Sequence, residues 1–133
     1  MNYFEPHLTP DELRAISAIG LAHMGDAVYE TLVRTWLCVH GKATGKELHR
    51  ATIALVCAQE QAELAQRVLP QLTEEELAVY KRGRNANVHA MPRSATPAQY
   101  HAATGLECLM GWLYLQGNKE RAEQLFHAMM EEE

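Results

Sequence analysis

Five times in this chain of 133 residues a threonine is followed, three positions later, by Glu or Gln, and four of these, all but Thr104–Glu107, stand where a helix could begin. The runs are Thr9-Pro10-Asp11-Glu12, Thr44-Gly45-Lys46-Glu47, Thr73-Glu74-Glu75-Glu76 and Thr96-Pro97-Ala98-Gln99. Each fits the capping box, in which the hydroxyl accepts from the N3 amide while the N3 side chain reaches back to the cap's own N–H. Pro10 and Pro97 fall at the first helical position, where a missing N–H costs nothing. Gly117-Asn118 reads as a helix-ending glycine followed by a new cap. The punctuation predicts helices near 10–18, 20–40, 45–68, 74–82, 97–116 and 118–131. No stretch alternates with period 2 long enough for a convincing strand. The expectation is an all-α fold, a single domain over residues 1–133, with no internal repeat.

Apolar residues make up 47% and charged ones 22%. That is the balance of a globular chain with one core, and it excludes a disordered tail protein. Cys38, Cys57 and Cys108 are scattered, odd in number and in apolar surroundings, which points to reduced structural thiols rather than zinc ligands or disulfides. No basic, apolar leader opens the chain and no apolar run reaches membrane-spanning length, so a soluble, cytoplasmic protein without membrane contact is expected.

Two acids break the helical pattern. On a wheel of about 100° per residue, Leu21, Met24, Gly25, Val28, Leu32 and Trp36 form an ordinary core stripe. Asp26 shares its side of the wheel with Ala22, Tyr29, Val33 and Leu37, so it lies in a second apolar stripe. Glu107 does the same among Tyr100, Ala103, Thr104, Met110, Gly111 and Tyr114. A carboxylate taken out of water must be protonated, paired or bound to a cation. Spacing leaves three explanations open: a salt bridge to a nearby Arg, a place on the rim of the stripe, or a shared hard cation. Gly25 and Gly111 would let the two helices come close enough for the last, and oxygen ligands favour Mg²⁺ or Mn²⁺ over zinc.

The net charge is −5, yet Lys81, Arg82, Arg84 and Arg93 stand in a region with no acid between Glu76 and Glu107. Such a segment is either a solvated, charge-balancing loop or a contact for a polyanion. As a phosphate contact, Lys81, Arg82 and Arg84 would grip the backbone and Gly83 would permit close approach. Asn85, Asn87 and His89 would offer neutral hydrogen bonds to phosphate or to the 2′-OH that marks RNA. His23, His49, His101 and His127 show no metal-ligand spacing, and the Glu60–Glu63 pair lacks the second acidic motif a helical pyrophosphatase would need.

The run HMGDAVYE (residues 23–30) resembles the first signature of the ribonuclease III catalytic domain, and TGLECLMGWLYL (104–115) resembles its second. With KRGRNANVH (81–89) between them and no appended domain, the chain is similar to the compact bacterial branch called Mini-ribonuclease III over roughly residues 11 to 131. The resemblance implies an all-α endoribonuclease that dimerises and cuts double-stranded RNA with Mg²⁺, leaving 5′-phosphates, its substrate a precursor of 23S ribosomal RNA. It places Asp26 and Glu107 at the metal-binding, catalytic positions. It also departs from the longer enzymes: Ile19, Ala22 and Thr104 stand where those often carry acids. Two other readings are a ribonuclease III-like domain that binds RNA without cutting it, and a helical metal-dependent nucleotide hydrolase. Retention of both acids speaks against the first, and the extended basic stretch against the second.

Overall fold

The computed structural model describes residues 1–87 and 94–131, and among these the regular structure is entirely helical. The helices are α1 (Pro10–Arg14), α2 (Ala18–Val39), α3 (Gly45–Val56), α4 (Ala58–Val68), α5 (Glu74–Arg84), α6 (Pro97–Leu115) and α7 (Lys119–Met129), with a 3-10 turn at Leu69–Gln71. The caps form where expected. Thr9, Thr73 and Thr96 make reciprocal boxes with Glu12, Glu76 and Gln99. Thr44 accepts from the Glu47 amide, but the Glu47 carboxylate reaches the Ala43 N–H at 3.5 Å, so the fourth box is completed one residue early.

Helix α6 is the axis of the molecule. Its sequence is apolar nearly all round, so it is stable only when enclosed, and it packs on α2, α4, α5 and α7. Its tightest neighbour is α2. A Cβ added to Gly25 would lie 1.6 Å from the Glu107 carbonyl oxygen, and one added to Gly111 would lie 2.0 Å from that of Leu21. The two backbones touch with no side chain between them. Around this seam, Tyr29, Val33, Leu106, Leu109, Met110, Leu113 and Leu125 form the core. Met110 and Leu113 are therefore fully enclosed within one chain. From the sequence, Met110, Leu113 and Tyr114 of this helix would be expected to leave surplus apolar surface for a dimer contact; Met110 and Leu113 do not, and only Tyr114 stays partly exposed.

A single helix over 45–68 is also not what forms. The chain breaks at Cys57, which is extended (φ −66°, ψ 152°). No Gly or Pro marks the break. It is stabilised instead by two side chains that take up carbonyls freed at the end of α3. The Tyr29 hydroxyl donates to Leu55 O (3.0 Å) and Gln61 Nε2 to Val56 O (2.8 Å). Elsewhere a bidentate pair, Arg121 to Glu76 (2.8 and 2.9 Å), ties α7 to the start of α5, and the same guanidinium donates to Gln71 O. Cys108 is buried, which pushes its thiol up to about 11, whereas Cys38 and Cys57 are exposed rather than set in apolar surroundings.

Gly111→Ala tests the seam. Its methyl has backbone, not a movable side chain, to displace, so the loss should reach or exceed the ~1–3 kcal/mol usual for overpacking. A urea midpoint equal to that of the wild type would show that α2 and α6 can part without penalty.

Candidate active site

Asp26 and Glu107 are brought together by this seam. Glu107 follows directly from the contact, since its own carbonyl abuts Gly25, and Asp26 is the next residue of α2. The two carboxyls stand within hydrogen-bonding reach of each other. Their environments differ in a way the wheel did not anticipate. Asp26 is exposed, at the rim of its stripe, because Ala22, Tyr29, Val33 and Leu37 turn inward past it. Glu107 is half-buried. Burial first, then the hydrogen bond and charge of Asp26, push its carboxyl up to about 8, against an opposing contribution from the Gln61 amide. None of the three positions where the longer enzymes often carry acids supplies a ligand, and Ala22 is buried. Thr104 is buried and donates to Tyr100 O at 3.0 Å, and Ile19 is an exposed aliphatic. Among the described residues no cluster of three or more His, Cys, Asp or Glu is gathered here or elsewhere.

Glu107 opens into a cleft of about 340 Å³, lined also by Cys57, Gln61, Ser94, Tyr100 and Ala103. The break between α3 and α4 thus forms one wall, and the start of α6 another. Tyr29 lies beneath, its hydroxyl kept protonated by burial and by the nearby Glu60, Cys57 and Glu107.

The basic stretch needs correction in its parts. Lys81, Arg82 and Arg84 sit on the last turn of α5, not in a loop, where cations complement the helix dipole. Gly83 is buried: a Cβ there would lie 2.5 Å from Cys108 Cβ, so it serves the approach of α5 to α6, not of a phosphate. Arg82 is exposed but donates to Ile16 O at 3.0 Å, which ties it to the fold. Lys81 is exposed; Arg84 is exposed with its guanidinium 6.0 Å from the Tyr80 ring centroid; Asn85 caps the helix and Asn87 is exposed. His89 and Arg93 lie outside the described residues. The Gly83–Cys108 contact docks this basic helix end one residue from Glu107, and Ser94 and Ala95 line the cleft itself. Sequence reasoning missed Gln61. A glutamine in an otherwise ordinary helix carries no signal until the break at Cys57 turns it toward the cleft.

Glu107 gives a pH test. Its folded-state pKa lies above the unfolded value, so its contribution favours folding fully below about 4.5 and is lost as pH rises through about 8. Urea melts of metal-free protein between pH 5 and pH 8.5 should show a decline on the order of a few kcal/mol. Glu107→Gln should flatten it, and an identical decline in that variant would place the titration elsewhere.

The Ribonuclease III domain profile matches residues 20–118. Mini-ribonuclease 3 of Symbiobacterium thermophilum is 45% identical over 108 residues, covering 81% of this chain and 83% of that one. Mini-ribonuclease 3 of Enterococcus faecalis is 42% identical over 118 residues, covering 87% and 89%. A crystal structure of a Fusobacterium nucleatum protein superposes with a TM-score of 0.81 at 30% identity, over 89% of this chain and 96% of that one. The all-helical fold agrees with these likenesses, and the chain belongs to the ribonuclease III family, in its Mini-ribonuclease 3 branch.

Proposed function

We propose that this chain is a Mg²⁺-dependent endoribonuclease, able to use Mn²⁺, that cuts double-helical RNA as a homodimer. The observation that carries the reading is that two carboxyls from different helices are brought together, Asp26 exposed and Glu107 half-buried, with the cationic end of α5 docked one residue away. Family membership supports the endoribonuclease activity. The substrate, on the same resemblance, is a double-helical precursor of 23S ribosomal RNA.

Asp26 and Glu107 would hold the cation through carboxylate oxygens, the donors a hard ion prefers. Two protein carboxyls leave most positions to water and to RNA phosphate oxygens. The chemistry a bound cation supplies is acidification of a water and screening of the attacked phosphate. In-line attack of a water on phosphorus would expel the 3′ oxygen, giving a 3′-hydroxyl and a 5′-phosphate. Lys81 and Arg84 would neutralise backbone charge beside the cleft, and Asn85 and Asn87 would contact phosphate or 2′-OH. One such site cuts one strand, so a two-fold pair of chains addresses both. The proposed interface uses surface other than Met110 and Leu113, and sedimentation of active enzyme should give twice the chain mass.

Glu107→Gln and Asp26→Asn should each bind duplex RNA within a few-fold of wild type while cleaving on the order of 10³-fold or more slowly. The double variant should be little worse than either, because groups holding one ion act as a unit. A folded single variant that cuts at the normal rate would remove these acids from the chemistry, and tight binding with no cleavage by the wild type would favour a non-catalytic RNA-binding role.

Lys81→Ala with Arg84→Ala should weaken binding to duplexes of every sequence alike and flatten the log K against log salt slope by about 2. Arg82 is best left in place, since its bond to Ile16 is structural. An unchanged slope would mean that α5 does not touch the RNA backbone.

A further inference from the structure

The cleft beside Glu107 contains one polar side chain whose situation the site described so far does not use. Gln61, on α4, is 2% exposed. Its Nε2 donates to Val56 O at 2.8 Å, while its Oε1 is buried without a partner in the protein. The side chain lines the same cleft as Glu107, whose carboxylate its amide N–H favours. Closing the end of α3 requires only the N–H. A buried carbonyl oxygen left without a donor opposes folding, so a purely structural role accounts for half of this side chain. The unpartnered oxygen belongs to a side chain that lines the same cleft as Glu107.

We infer that Gln61 is a positioning residue of the cation site. Pinned by Val56 O, its rigid amide plane fixes the direction in which Glu107 presents its carboxyl toward Asp26. Its carbonyl oxygen is left as the acceptor for a water bound in the occupied site. The inference rests on the proposed cation site and names the group that orients it. It also gives the break at Cys57 a purpose, because an unbroken helix over 45–68 would have no free Val56 carbonyl to hold the amide. Groups that orient a ligand without binding the metal themselves commonly change metal affinity by about 10–100-fold when removed.

The test is Mn²⁺ binding to the full chain without RNA, read from the electron paramagnetic resonance signal of free Mn²⁺, with thermal unfolding in parallel. Gln61→Leu should bind Mn²⁺ about 10–100-fold more weakly, with an unfolding midpoint unchanged or raised. Gln61→Met, more adaptable in packing, should behave alike and serves if the leucine variant does not fold. Tyr29→Phe removes the companion bond at the same break and should stay within about threefold of wild type, far inside the loss expected for an orienting group. Equal weakening by Tyr29→Phe and Gln61→Leu would assign the effect to the break and overturn the inference. Wild-type affinity in Gln61→Leu, with binding abolished in Glu107→Gln, would overturn it while leaving the cation site standing. Wild-type protein that binds no Mn²⁺, or Glu107→Gln that binds it normally, would overturn both.

Discussion

The backbone contact between α2 and α6 is the constraint from which the rest follows. Gly25 and Gly111 let each helix reach the other's carbonyls, and no side chain fits in the seam. Helices usually pack 8–10 Å apart through interdigitated side chains. Here the absence of a Cβ at two positions sets the separation. Because Gly25 abuts the carbonyl of Glu107 and precedes Asp26, the closest contact in the fold also fixes where the two acids meet. Core and site are thus one construction. The apolar faces of α4, α5 and α7 close around α6 because α6 has no polar face to give to water.

Holding the acids there opposes folding, and the molecule carries two ionisable groups that pull stability in opposite directions. Glu76, held below its ordinary value first by its hydrogen bond to Arg121, favours folding above its unfolded pKa, and that contribution is lost as pH falls through the folded one. Glu107 favours folding at acid pH and loses that contribution as pH rises through about 8. One group secures α7 against α5, where nothing titrates in use. The other leaves a carboxyl that, on the proposed function, would exchange its proton for a cation. Glu76 has a guanidinium partner; Glu107 has only another acid and an amide beside it.

What could be read from the sequence was local. Four threonine caps, two N1 prolines and Gly117 fix helix starts and ends through contacts within four residues, and these appear in the structure with one shifted box. The signature acids were legible as misfits in apolar stripes, and they do converge. What failed depended on contacts distant in the chain. The break at Cys57 is made by Tyr29 and Gln61, and Gly83 turns inward because Cys108 is there to receive it. A wheel treats both flanks of a stripe alike, so it could not tell that Asp26 would sit at the rim while Glu107 became half-buried. Nor could it tell that Met110 and Leu113 would be used up by one chain's own core.

The bond from Arg82 to Ile16 and the seating of Gly83 on Cys108 have a mechanical consequence. With the proposed RNA contacts, the helix end that grips the backbone and the helix that carries the cutting acid form one rigid block. The distance between the phosphate held and the phosphate cut is then a property of the core, as fixed as the spacing of two teeth on a comb. On the proposed function, a protein built this way would take its measure along a duplex from its own core. Its register would change with a substitution that reseats α5 on α6, such as one at Gly83 or Cys108, even though neither side chain touches RNA.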